Sequence, residues 1–279
     1  MKKIYLLLLV AITFIPNFMW AQQDTTQVST DSTTIIARES PFSLGADIMS
    51  RYVWRGTQFG GNSPSIQPSL SVSYKNFTFG VWGAYSTGGV HASQELDLYL
   101  SGNFINDMFT VVVTDYYFPS DTASYHYMSY DSKTGHVLET GVVFNGTDNF
   151  PISLSAYVNV YGHDARKVGD DPSDTTTFNQ EQDIQFSNYF EVSYSKSFKN
   201  NFDINAFLGF TLSNPKKADA NTGYIGESGF YGNGPGVVNL GLTASKSVKI
   251  TNSYSMPLTA SFIINPQAER VYLVFGISF

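Results

Sequence analysis

Residues 152–161 read ISLSAYVNVY. Ile152, Leu154, Ala156, Val158 and Val160 fall on one side of an extended chain; Ser153, Ser155, Tyr157, Asn159 and Tyr161 fall on the other. A period of two is what a strand with one apolar face requires. The stretch also has the length of a tilted strand crossing a bilayer, about 9–11 residues. Strands of soluble sandwiches are mostly shorter, about 5–6 residues.

The pattern recurs on both sides. In 201–212, Phe202, Ile204, Ala206, Leu208, Phe210 and Leu212 oppose Asp203, Asn205, Phe207, Gly209 and Thr211. Comparable alternation marks 94–104, 183–198 and 254–264, and weaker alternation marks 42–54, 65–75, 77–87, 108–118, 136–145 and 237–248. With 269–279 the tally is twelve segments. No stretch of the mature chain has the roughly 18 consecutive apolar residues of a helical span. The fold class expected is all-β: a transmembrane antiparallel up-and-down barrel of about twelve strands over 41–279. Backbone groups in hydrocarbon must pair internally, so such a sheet has to close. The competing fold is a secreted sandwich, which needs shorter strands and apolar faces that meet each other.

The connections alternate. Short ones fall near Lys75–Asn76, Asn106–Asp107, Asn145–Pro151, Asn200–Asn201 and Lys249–Asn252, with long ones at 55–64, 86–93, 119–135, 162–182 and 213–236; Asn265–Ala268 is a short exception. Short periplasmic turns and long external loops are the barrel pattern. Phe77, Phe104, Phe109, Phe144, Phe198, Phe202, Tyr254 and Phe279 lie near the short turns, while Trp54, Tyr85, Tyr117 and Tyr161 lie near the long loops. These are expected to form two interfacial girdles. Phe279 ends an alternating run of Val271, Leu273, Phe275 and Ile277, the kind of sequence that would signal assembly to the barrel-insertion machinery.

Residues 1–21 read as a signal peptide, with Lys2 and Lys3 ahead of the apolar run Ile4 to Ile15 and Ala21 offering a small residue for cleavage. Residues 22–40, QQDTTQVSTDSTTIIARES, are too polar to pack and read as a flexible lead-in. Export to the bacterial cell outer membrane follows as an expectation. The chain has 16 basic and 23 acidic residues, a net charge of -7 and no basic run, which argues against a nucleic-acid partner. It has no cysteine, so disulfides and thiolate metal sites are excluded.

Four stretches, SRYVWRG at Ser50–Gly56, SIQPSL at Ser65–Leu70, GVWG at Gly80–Gly83 and ELDLYL at Glu95–Leu100, resemble in order and spacing the start of the TorF family of outer-membrane porins. The resemblance implies an outer-membrane barrel and a porin label, with no defined substrate and no catalytic residues. It covers about residues 47–118; loops 162–182 and 213–236 have no place in it.

If the apolar rows face lipid, the other rows line the lumen. There fall Asp47, Glu95, Asp97, Glu139, Asp183, Glu191 and Asp203, with Arg51, Arg55 and Arg270 as the basic members. The function expected is passive passage of small solutes or ions, the acidic excess biasing entry. Ion pairs bracing a closed interior are the alternative. Tyr99, Tyr157, Tyr189, Phe207 and Tyr272 also point inward and would narrow a channel.

Two other classes compete. A non-conducting structural or adhesion barrel would act through its external loops. A lipid-modifying enzyme would need a serine beside a histidine; His91, His126, His136 and His163 all fall in or beside external loops, with Ser124 near His126. No enzyme activity and no cofactor are expected. Asp164, Asp170, Asp171 and Asp174 crowd one loop without calcium-loop spacing and read as solvated. Gly223 to Gly236 lacks the Lys-Ser/Thr of a phosphate loop and reads as flexible. The partners expected are membrane lipids, the insertion machinery and small solutes.

Overall fold

The computed structural model describes residues 40–88, 93–120, 126–130, 134–147, 149–252 and 254–279. The signal peptide and all of the polar lead-in but Ser40 lie outside these residues, as do His91 and Ser124. Sixteen strands follow one another: β1 (Phe42–Met49), β2 (Tyr52–Trp54), β3 (Thr57–Phe59), β4 (Ser65–Tyr74), β5 (Phe77–Ser86), β6 (Gln94–Phe104), β7 (Phe109–Tyr117), β8 (His136–Phe144), β9 (Ile152–Gly162), β10 (Arg166–Val168), β11 (Glu181–Ile184), β12 (Asn188–Phe198), β13 (Phe202–Thr211), β14 (Gly236–Lys249), β15 (Ser255–Asn265) and β16 (Arg270–Ser278). Twelve of them, β1, β4 to β9 and β12 to β16, close into an antiparallel barrel in which each strand pairs with its wall neighbours and β1 meets β16. The all-β barrel of twelve strands read from the sequence is the fold observed.

Alternation decides the two faces. Leu44 and Ile48 on β1, Leu70 on β4, Val142 on β8, Leu154 on β9, Val192 on β12, Leu242 on β14, Phe262 on β15 and Leu273 and Phe275 on β16 all lie exposed on the outer surface. Their neighbours Gln67, Glu95, Asp97, Thr114, Glu139 and Asn239 are buried in the interior. Such a surface inverts the ordinary arrangement of a protein in water. At the end carrying the short turns, rings meet across strands: Phe77 and Phe104 at 6.2 Å, Phe109 and Phe144 at 5.4 Å, Phe198 and Phe202 at 5.9 Å. At the end carrying the long loops, Tyr85 and Tyr161 are exposed.

Three segments depart from the sequence reading. The first segment, 42–54, is not one strand. The chain leaves the wall after Met49 and folds into the lumen as the hairpin β2–β3, turning at Arg55 and Gly56. Both residues have positive φ, 48° and 77°, as a two-residue type I′ turn demands. A Cβ on Gly56 would lie 2.0 Å from the Val238 carbonyl oxygen, so glycine is also needed for the close approach. Trp54 is therefore a lumen residue rather than part of a girdle. The second correction is at 183–198, where β12 starts only at Asn188; Asp183 belongs to β11, which pairs with β10 outside the wall. The third is Tyr161. The β8–β9 register shifts between Leu138 and Glu139, so Asn159 faces inward beside Glu139 while Tyr161 pairs with outward Leu138.

Candidate functional site

The lumen has two halves. Toward the short turns, the inward positions are Ser69, Ser71, Ser101, Ser153, Ser193, Ser195, Asn205, Thr243, Ser245, Thr259 and Ser261, which follow from strand parity and the paired registers. They bond one another, as Asn205 to Ser195 at 2.8 Å and Thr243 with Ser261 at 2.8 Å. A cleft of about 440 Å³ opens there, lined by Asn145, Gly146, Thr147, Pro151, Ser153, Ser193 and Ser195. This half is polar and carries few charges.

Toward the long loops, the lumen is filled by chain that is not wall. Tyr52 and Trp54 of the hairpin, with Phe230 and Tyr231 of loop 213–236, pack against Trp82, Ala84, Tyr116, Val137, Tyr157, Tyr189 and Val238 of the wall. Trp54 lies 5.4 Å from Tyr116 and 5.9 Å from Tyr231, and Tyr52 lies 5.5 Å from Trp82.

At the hairpin tip the Arg55 guanidinium is buried. It donates through Nη2 to Glu139 Oε1 at 3.0 Å, and through Nη1 to Glu139 Oε2 and the Tyr231 hydroxyl. Its head group lies 4.5 Å from the Trp54 ring, 4.2 Å from Tyr157 and 4.5 Å from Tyr189. Glu139 also accepts from the Tyr116 hydroxyl at 2.9 Å and the Tyr231 hydroxyl at 3.0 Å. Asn265 holds the turn by donating to the Gly56 carbonyl at 3.1 Å, and Gln267 donates to Gly234 at 2.8 Å.

Of the other residues predicted to line a pore, Glu95, Asp97 and Glu191 also lie on the inner wall in the plugged half. Glu95 and Asp97 are buried beneath Tyr52, whose hydroxyl bonds Glu95. One oxygen of each, Glu95 Oε2 and Asp97 Oδ1, has no hydrogen-bond partner. Among the described residues no basic side chain pairs with either. Glu191 accepts from Tyr189 and, at 3.2 Å, from Asn239. Asp203 faces inward near the short turns, by its pairing with Ser197 and Ser245, and Asp47 faces inward between Gln67 and Ser278. Arg51 bonds Gln58 at 3.2 Å within the hairpin, and Arg270 starts β16 at the exposed mouth. Asp183 is exposed on the loop hairpin and lines no wall. Five of the ten, Arg55, Glu95, Asp97, Glu139 and Glu191, thus gather in a buried belt, and the other five lie outside it.

The inward rings also lie differently from a simple narrowing. Tyr99, Tyr157 and Phe207 each cover an inward glycine of the neighbouring strand, Gly80, Gly141 and Gly241, and Tyr189 covers Gly209 diagonally. The missing side chains let the rings lie flat along the wall. Strand parity alone puts these rings inward; their glycine partners emerge only from the cross-strand registers.

Loops 162–187 and 213–236 are held by their own hydrogen bonds. Glu227 accepts from the Lys216 amide at 2.8 Å and the Val168 amide at 3.0 Å, tying loop 213–236 to loop 162–187, so the glycine-rich run is not a free tether. Asp174 accepts from Thr176 and Thr177 at 2.6 and 2.7 Å, and Asp171 from Ser173 at 2.6 Å. Asp164 is buried and holds Asn159 and the Ser187 amide. No group of acidic or histidine residues that could hold a metal occurs among the described residues. On the outer wall, His136 Nδ1 lies 2.8 Å from Asp115 Oδ1 and Nε2 lies 2.6 Å from the Tyr127 carbonyl, with Tyr130 stacked on the ring at 4.3 Å. This group holds Tyr127 and Tyr130 against the barrel's outside and faces away from the lumen.

Residues 37–220 match the model of a family described as "Bacterial protein of unknown function (Gcw_chp)". The chain belongs to that family. Its description is coarser than the TorF resemblance and carries no porin label. No curated protein matches the chain. Among solved structures, the KdgM porin is similar with 8% identity and a TM-score of 0.42, over 85% of this chain and 97% of that one. Wzi of Escherichia coli, titled a carbohydrate-binding β-barrel of capsule assembly, has 9% identity and a TM-score of 0.31 over 86% and 56%. A FadL homologue of Pseudomonas aeruginosa has 11% identity and a TM-score of 0.33 over 85% and 74%.

Proposed function

We propose that this Gcw_chp protein is an exported outer-membrane barrel, its signal peptide ending near Ala21, and that its lumen is a gated passage for small polar solutes or ions. The membrane setting is supported by the apolar outward rows and the aromatic rim. One observation carries the passage: the seal in the lumen is made by the hairpin Tyr52–Phe59 and by Phe230 and Tyr231, segments outside the wall. In barrels of about eight strands the wall's own side chains can fill the interior. A seal on two loop segments leaves a polar lumen when it withdraws, hydroxyl-lined toward the short turns and acidic at the belt.

The buried Arg55–Glu139 pair favours a second reading, a barrel permanently braced shut that acts through its loops. Planar-bilayer recordings separate them. Replacing residues 51–60 by a short Gly-Ser turn should give steps much larger than those of the unmodified protein. Absence of conductance in both proteins, with folded barrel demonstrated, rejects the passage and leaves the braced barrel.

A further inference from the structure

Most of the Arg55 site does not belong to Arg55's own hairpin. Glu139 comes from β8, Tyr116 from β7, Tyr157 from β9, Tyr189 from β12 and Tyr231 from loop 213–236. The Tyr116 and Tyr231 hydroxyls both donate to Glu139, so the carboxylate is oriented by groups other than the arginine. A fixed carboxylate framed by aromatic faces is the chemistry that recognises a planar cation: two parallel N–H donors meet the two oxygens while the rings attract the charge. Around this centre the wall carries Glu191 and the Glu95–Asp97 pair, each of the latter with an unpartnered oxygen. With the hairpin withdrawn, the belt would present four acidic side chains.

We propose that this belt is a binding site for organic cations bearing a guanidinium, and that Arg55 is its tethered occupant. The proposal rests on the reading of the hairpin as displaceable. A diffusing guanidinium competes with Arg55 for Glu139 and the three wall tyrosines, and occupying the cage frees the hairpin. A tethered group has a local concentration on the order of millimolar, so the unmodified protein takes free ligand weakly, while a chain lacking the Arg55 head group takes it directly.

The test uses the full chain refolded in detergent, with methylguanidinium chloride as the probe and sodium chloride at equal ionic strength as the control. In R55A, methylguanidinium should raise the temperature at which the folded band converts on gels, and sodium should not. In R55A/E139Q it should bind at least about tenfold more weakly, the loss expected for a charged bidentate contact. If R55A refolds poorly, the same comparison is read in refolding yield, which methylguanidinium should restore and sodium should not. Equal effects of the two cations, or equal binding with and without the Glu139 carboxylate, overturn the proposal. Specific binding to an R55A barrel that never conducts upholds the cage and rejects the passage. Conductance of R55A without guanidinium preference does the reverse.

Discussion

Removing the Arg55 head group leaves the Glu139 carboxylate buried with two tyrosine hydroxyls and no counter-ion. Breaking a buried pair from one side costs about 3–5 kcal/mol, because a charge is left without compensation. R55A should therefore lower the urea midpoint of the folded barrel, and E139Q added to it should restore part of the loss, since the amide carries no charge. Gly141 gives a second residue-level expectation. A Cβ there would lie 2.3 Å from Tyr157 Cδ1, and the ring must move off the wall toward Arg55. G141A should cost about 1–3 kcal/mol, as overpacking does, read in the same unfolding experiment. In the external loop, the Thr176 and Thr177 hydroxyls hold the Asp174 carboxyl down at about 2. The turn they form is complete above the ordinary carboxylate range and is lost as pH falls through about 2; carbon NMR titration of Asp174 checks this. At this scale the sequence disclosed which side chains face inward on the regular strands. It did not disclose that Arg55 and Glu139, 84 positions apart, would meet. Nothing in the local pattern of either residue carries that contact.

Among the elements, β4 to β9, β13, β14, β15 and β16 begin and end within about two residues of their alternating segments, because a two-sided environment writes itself into every second residue. The departures have local causes. Tyr52, Val53 and Trp54 continue the aromatic and apolar character of β1, and a strand inside the barrel has the same local composition as one in its wall. Only the left-handed pair Arg55–Gly56 marks the reversal, and an arginine at such a position is an unusual turn residue. In the sequence β11 runs on into β12 because Asp183 to Ser187 alternates as a strand does, although Phe186 has a positive φ of 55° that ends the extended run. The hairpin is also the element with the clearest readout. Once replaced by a Gly-Ser turn, the belt keeps Glu95, Asp97, Glu139 and Glu191 and loses Arg51 and Arg55. The opened lumen should favour cations, measured as a reversal potential across a salt gradient. The preference should shrink in concentrated salt, where the screening length falls to about 3 Å at 1 M. Anion preference in that variant would show that Arg270 at the mouth controls entry.

For the whole molecule, closure is the property that matters. Every wall strand has a partner on both sides, so the sheet has no long free edge at which detergent or another chain can begin to unzip it. The folded protein should resist SDS at room temperature and migrate differently after boiling. A protein that stays soluble and monodisperse without detergent would contradict the apolar outer surface. The number of strands, the alternation of turns and loops and the identity of the inner face could all be read from the chain, since each repeats around the barrel. The seal could not, since it is made once, by segments that leave the repeat.

The seam where the barrel closes is also where the seal begins. β1 meets β16 through Asp47, Ile48 and Met49, with Ala46 and Ser50 adding backbone bonds to Phe279 and Phe275. One residue later the chain turns inward toward Tyr52. This leads to an expected order of events. A hairpin anchored beside the seam need not thread through either mouth if it swings in from the side before the seam closes. Joining the first strand to the last and enclosing the hairpin should then be a single step, the final one of assembly. Run backwards, a barrel that loosens anywhere should loosen there first, so the amides of Ile48 to Tyr52 should exchange ahead of those in β13 to β15.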